Sequence, residues 1–121
     1  MTIAIRRVYD LASIMPGKRV LVDRVWPRGI RKEELHLDSW MRDVAPSTSL
    51  RKWFGHDPAR WDEFQRRYRA ELRQPEQKAR VDELLAMARK SPLTLLYSAR
   101  DVEHNQALAL SRVLEDLLKK K

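Results

Sequence analysis

Apolar residues along this chain change their spacing several times, and each change marks an element. Ile3 to Val8 and Arg19 to Val25 are rich in β-branched residues, and the second holds the run VLV, suited to a strand covered on both faces. Leu93 to Ala99 reads as a third strand by the same rule. The first two are separated by DLASIMPGK, in which Pro16-Gly17 marks a turn. Parallel crossovers normally take about a dozen residues or more, so this short connection predicts antiparallel pairing or an abbreviated crossover. After WPRG, Lys32 to Val44 predicts one or two short helical turns, with Leu35, Leu37, Trp40 and Met41 as apolar contacts.

The middle of the chain is helical and well punctuated. Ser47 is placed to cap a short helix that Gly55 ends, and Asp57 followed by Pro58 starts the next. Trp61, Phe64, Tyr68 and Leu72 recur at helical spacing, and Val81, Leu84, Leu85 and Ala88 define a further amphipathic helix ending near Lys90. After the third strand, Ala107, Leu110, Val113, Leu114 and Leu117 form the buried stripe of a last helix. Asp101 then stands at the expected cap, with His104 and Asn105 in the first turn beside free backbone amides.

These elements predict a single compact α/β domain over residues 1–121, three-layered, with a small mixed, partly parallel sheet of at least three strands and flanking helices. The length of 121 residues suits one core, and 43% hydrophobic residues with four tryptophans suit a folded chain.

Charge sharpens the functional picture. Lys and Arg number 25 against 17 Asp and Glu, a net charge of +8, and the pI is about 10.2. Such an excess attracts anionic partners: a small anionic ligand or nucleic acid. The absence of cysteine removes disulfides and thiolate chemistry and points to the cytoplasm; no apolar run is long enough to span a membrane. No GxGxxG, P-loop or GxSxG stretch occurs, and His36, His56 and His104 lack metal-binding spacing, so neither metal nor cofactor is expected.

Three constellations carry candidate chemistry. In DRVWPRG, Arg24 and Arg28 can grip an anion, Trp26 can stack on a planar group, and Asp23 can accept a proton. The alternative is a core Trp26 and a structural ion pair for Asp23. In WFGHDP, His56 lies in a turn, although helix stop and start signals alone account for its neighbours. In YSARDVEHN, Tyr97, Arg100, Asp101, His104 and Asn105 gather where a strand meets a helix, a place where ligands commonly bind in open α/β sheets.

KRVLVDRVWPRG, DVAPSTSLRKWFGHDPARWDEFQRRYRAEL and LTLLYSARDVEHNQAL resemble the YeaO-like bacterial family of unknown function, over nearly the whole chain from RRVYD onward. The resemblance implies a compact α/β domain. A looser similarity to a larger family sets LVDR, Leu21 to Arg24, and LLYSARDVEHNQ, Leu95 to Gln106, at paired strand ends, where that family carries an LVDVR-like motif and a helix start with cysteine and histidine. The missing cysteine puts thiol chemistry in doubt here. The reading is a metal-independent enzyme or binding protein for a small anionic, nucleotide-like ligand. Asp23 and His104 would be its proton-transfer residues, and Arg24, Trp26, Arg28, His56, Tyr97, Arg100, Asp101 and Asn105 its binding residues. The alternatives are a basic nucleic-acid-binding module and a non-catalytic protein-interaction domain. Two strands that each end in an arginine, VLVDR and LTLLYSAR, are expected to be parallel neighbours with their polar ends together.

Overall fold

The strand Leu93–Tyr97, β4, is buried at all five positions and hydrogen-bonded along both edges. A computed structural model describes residues 3–10 and 17–119. On one side β4 pairs in parallel with Ile3–Arg7 (β1), and on the other with Lys18–Leu21 (β2). Ser39–Trp40 (β3) pairs in parallel with the outer edge of β2, giving the order β1-β4-β2-β3. VLVDR and LTLLYSAR are therefore parallel neighbours, as the sequence predicts.

The α/β class with flanking helices agrees with the sequence, but all pairings among the described residues are parallel rather than mixed. The reason is insertion. β1 and β2 do not pair with each other; β4 lies between them, so the short connection is the abbreviated crossover and not a hairpin. Residues 11–16 of that connection, including the predicted Pro16 half of the turn, lie outside the described residues.

The one or two short helical turns expected over Lys32 to Val44 are present, and β3 between them is an element the sequence did not predict. Only Lys32–Leu35 (α1) is α-helical there, followed by a left-handed His36, the two-residue strand and a 3-10 turn at Arg42–Val44. Asp38 and Arg19 hold the edge together: Asp38 N donates to Arg19 O at 2.9 Å, and Arg19 N to Asp38 Oδ2 at 2.8 Å.

Four longer helices cover one face of the sheet: Thr48–Phe54 (α2), Trp61–Leu72 (α3), Pro75–Lys90 (α4) and Gln106–Lys119 (α5). Their caps follow the sequence signals. Ser47 Oγ accepts from Leu50 N at 3.1 Å, Gly55 closes α2 in the left-handed region, and Asp57 Oδ1 accepts from Ala59 N at 3.0 Å. The core on this side stacks Phe54, Trp61, Phe64 and Tyr68 against Val20, Val22 and Leu95. The other face is thinner: Leu21 and Leu96 meet Val8 and Leu35, with Trp26, Ile30, Leu37 and Trp40 packed against them. Strand alternation thus sends Val20 and Leu21 into two separate apolar clusters. Among the described residues no helix is long and apolar enough to cross a membrane.

Gly17 carries the entry into β2. Its φ is +88°, and an added Cβ would overlap the Pro92 carbonyl oxygen, the same oxygen that accepts from Lys18 N at 2.9 Å. Backbone strain and steric overlap then act together, so Gly17→Ala should cost at least about 2 kcal/mol. Denaturant unfolding of the variant against the parent measures this, and an unchanged midpoint would contradict the packing of Gly17 on Pro92.

Candidate functional site

Because β2 and β4 run parallel side by side, their carboxyl ends open together onto one cleft of about 720 Å³. After β2 the chain turns toward β3, whereas after β4 it enters α5, which packs against β1 and β4. The two exits diverge, and the crevice between them is the kind of switch point at which open α/β sheets bind ligands.

Asp23 forms the floor. It is 6% exposed, two residues beyond the end of β2, and its backbone is held by Trp40, whose Nε1 donates to Asp23 O at 2.7 Å. Its carboxylate accepts from Ser98 Oγ at 2.5 Å and from Gln106 Nε2. Both partners are neutral. Burial therefore dominates and pushes the carboxyl above its ordinary range, against the hydrogen bonds from Ser98 and Gln106 and the charge of nearby Arg51. The structural ion pair that was the alternative role for Asp23 is not formed among the described residues.

The loop Asp101–Asn105 forms one wall, and here the structure corrects the expected cap. Helix α5 begins at Gln106, not after Asp101, and Asn105 is its cap: Asn105 Oδ1 accepts from Leu108 N at 2.9 Å while its Nδ2 donates to Asp101 O at 2.9 Å. Asp101 instead closes the loop. Its Oδ1 accepts from Glu103 N at 2.9 Å and His104 N at 3.0 Å, and its Oδ2 lies 2.9 Å from His104 Nδ1. The backbone bond from Glu103 and the bond to His104 hold the Asp101 carboxyl below its ordinary range. The His104 ring meets the Trp61 face edge-on, at 5.4 Å between centroids, which fixes it from a second side.

The opposite wall comes from α2 and the residues around it. Arg24 is half-buried and turned inward, its Nε donating to Pro46 O and its Nη2 to Ala45 O, both at 3.1 Å. It fastens this wall to the end of β2. Arg51 and Lys52 on α2 and Arg100 after β4 are exposed on the cleft and make no salt bridge among the described residues. His56 also lines the cleft, exposed and with φ +58° immediately after a left-handed Gly55.

The structure thus brings Asp23, Arg24, His56, Arg100, Asp101, His104 and Asn105 together in one cleft. Trp26 and Arg28 line a neighbouring hollow instead, and Tyr97 is packed in the core, 2% exposed, lining neither. Sequence reasoning missed Ser98, Gln106, Arg51 and Lys52. Ser98 was within reach near the carboxyl end of the predicted strand Leu93 to Ala99; nothing in the sequence orients α2 toward the strand ends. Among the described residues, no group of three or more His, Asp or Glu side chains is arranged to hold a metal ion.

Two outcomes follow from these bonds. Asn105→Ala should cost about 1–2 kcal/mol in denaturant unfolding, as loss of a buried cap does, and more than Asp101→Ala, whose loop is partly exposed. The second concerns Asp23. A raised folded-state pKa gives a stabilising contribution that is fully present below the unfolded value and lost as pH rises through the folded one. Asp23→Asn should therefore melt a few degrees above the parent at neutral pH, with the gap closing as pH falls toward 3.8. Melting curves across that range check it; a gap that widens in acid would show that the carboxylate is stabilised, not penalised.

A family model described as the inactive DUF488-N3 subclade matches residues 2–121. The uncharacterised protein YeaO of Escherichia coli (strain K12) is 47% identical over 117 residues, covering 97% of this chain and 100% of YeaO. The uncharacterised protein Rv3073c of Mycobacterium tuberculosis (strain H37Rv) is 40% identical over 112 residues, 93% of this chain and 92% of the relative. Mb3100c of Mycobacterium bovis is similar to the same degree, 40% over 112 residues. No solved structure matches significantly. On the strength of near full-length identity and a family match across the whole described fold, the chain belongs to the YeaO-like family, within the DUF488-N3 group.

Proposed function

We propose that the cleft at the ends of β2 and β4 binds a small anionic ligand without transforming it. One observation carries the reading: Arg51, Lys52 and Arg100 stand without salt-bridge partners around a cleft whose floor is a buried carboxylate served only by neutral donors. A ligand that fits this arrangement brings negative charge to the rim and a hydrogen-bond donor to Asp23. Guanidinium groups supply charge-assisted bonds to phosphate or carboxylate, and the rim lysine adds a point charge.

Binding is favoured over catalysis on two grounds. The family match carries the description inactive, and His104, though held by Asp101 as a base would be, faces no nucleophilic cysteine or lysine among the cleft residues other than the exposed Lys52. A nucleic-acid surface is less well supported, because the arginines of α3 are largely neutralised. Arg66 and Arg67 both pair with Glu63, and Arg69 pairs with Asp116 at 2.9 Å. Glu63 thus takes both cations.

Calorimetric titration of inorganic phosphate tests the reading. The parent should bind, and Arg51→Gln or Arg100→Ala should each weaken binding about tenfold, the value of one charge-assisted hydrogen bond, while leaving the melting temperature unchanged. No binding by the parent would refute it. Tight binding of DNA whose logarithm falls steeply with that of salt, without any phosphate binding, would move the basic surface to the nucleic-acid reading.

A further inference from the structure

Beside the main cleft lies a hollow of about 520 Å³, lined by Tyr9, Val25, Trp26 and Pro27 together with arginines. Val25, Ser98 and Arg100 line both spaces, so the two adjoin beyond the ends of β2 and β4. We infer that the ligand extends across Val25 into this hollow and is a nucleoside phosphate, its phosphate among Arg51, Lys52 and Arg100 and its planar base against Trp26. This rests on the anion-binding reading of the cleft and names the class of ligand.

Exposed apolar surface is the first argument. Among the described residues the large hydrophobics that stand most exposed are Tyr9 at 45%, Val25 at 63% and Val102 at 54%, and two of these line the hollow. A simple anion in the main cleft would leave them in water. A planar ring laid over Val25 would cover apolar surface there, and clustered apolar exposure of this kind commonly marks an interaction site.

The second argument is the character of the walls. No acidic side chain lines the hollow, and Arg28 and Arg100 make no salt bridge among the described residues. A guanidinium without a carboxylate partner can stack on a planar ring and donate to its acceptors. Arg7 is already engaged, donating to Ala99 O at 2.8 Å and pairing with Asp10 at 3.3 Å. Trp26 is held ready: its Nε1 donates to Ile30 O at 2.7 Å and its ring lies edge-on to Trp40 at 5.2 Å between centroids. A fixed aromatic wall lowers the cost of ordering on binding.

The third is the order of groups along the path. Asp23 lines the main cleft and accepts from Ser98, which lines both spaces. A ribose hydroxyl, which joins phosphate to base, is a donor of the kind Asp23 accepts.

Calorimetry with inorganic phosphate, ribose phosphate and the common ribonucleoside monophosphates decides it. At least one nucleoside monophosphate should bind the parent about tenfold more tightly than ribose phosphate, the scale of one stacked base. The Val25→Ser/Arg28→Ala double variant alters two exposed side chains with no hydrogen bonds of their own, so it should fold as the parent does by melting temperature. It should lose that gain while binding ribose phosphate as before. Arg51→Gln should weaken all three classes. If phosphate and ribose phosphate bind but no base adds affinity, or if the double variant keeps the gain, the inference is overturned and the anion site stands. If none of them binds the parent, both readings fall.

Discussion

The pairing of β4 with a strand on each edge is the constraint on which the rest of this structure depends. A strand buried at all five positions needs every backbone polar group satisfied, and β1 and β2 do this from the two sides. Parallel pairing then fixes the polarity of the sheet, so the ends of β2 and β4 emerge together. The register places Leu21 beside Leu96, which sets Asp23 and Ser98 each two residues further along. Their hydrogen bond is a consequence of that register. A slip of one residue would turn Asp23 toward the other face and send Leu21 and Leu96 out of their apolar cluster.

The least favourable groups in the sheet stand on and just beyond β2. Arg19 is 4% exposed, and its Nε and Nη1 have no hydrogen-bond partner among the described residues. Asp23 is 6% exposed but served by donors, and so the two differ in kind. A buried carboxylate matched by neutral hydrogen bonds is tolerated, yet its charge remains only partly compensated. The backbone at that point is held from outside the carboxylate, by Trp40 on β3 and by the register with β4. The backbone there is positioned without the charge of Asp23, which supports the proposal of a ligand at this carboxylate.

How much of this was legible depended on whether the signal was local. The three longer strands, the Ser47 and Asp57 caps and the stripes on α3, α4 and α5 are written in spacing that local physics enforces, and each is present, although β2 ends at Leu21 rather than Val25 and β4 at Tyr97 rather than Ala99. β3 escaped because two residues have no period, and their strand character comes wholly from the bonds to β2 at Arg19 and Leu21. The insertion of β4 between β1 and β2 is a long-range fact that no connection length reveals. The cap of α5 was misplaced by four residues because Asp101 and Asn105 both satisfy the local rule. Packing decides between them: Asn105 is 2% exposed and bonds backward to Asp101 O as well as forward to Leu108 N, whereas Asp101 spends its carboxylate on the loop. Trp26 and Tyr97 show the same limit, since an aromatic next to a polar cluster reads alike whether it faces the cleft, a side hollow or the core.

Charge was the most visible feature of the sequence and the least informative until its partners were known. A net charge of +8 describes the whole chain, but a field acts where cations lack nearby anions. The surface of α3 carries many arginines and little uncompensated charge, because Glu63 and Asp116 stand among them and Arg60 and Arg67 also lie over the Trp53 ring. At the strand ends, by contrast, Arg28, Arg51, Lys52 and Arg100 stand without salt-bridge partners among the described residues. Close pairing cancels a field within a few ångströms, whereas separate cations around a low-dielectric crevice reinforce one another. On the proposed reading an anion is drawn to the strand ends because Arg51, Lys52 and Arg100 stand there without salt-bridge partners among the described residues, although Asp23 and Asp101 also line the cleft.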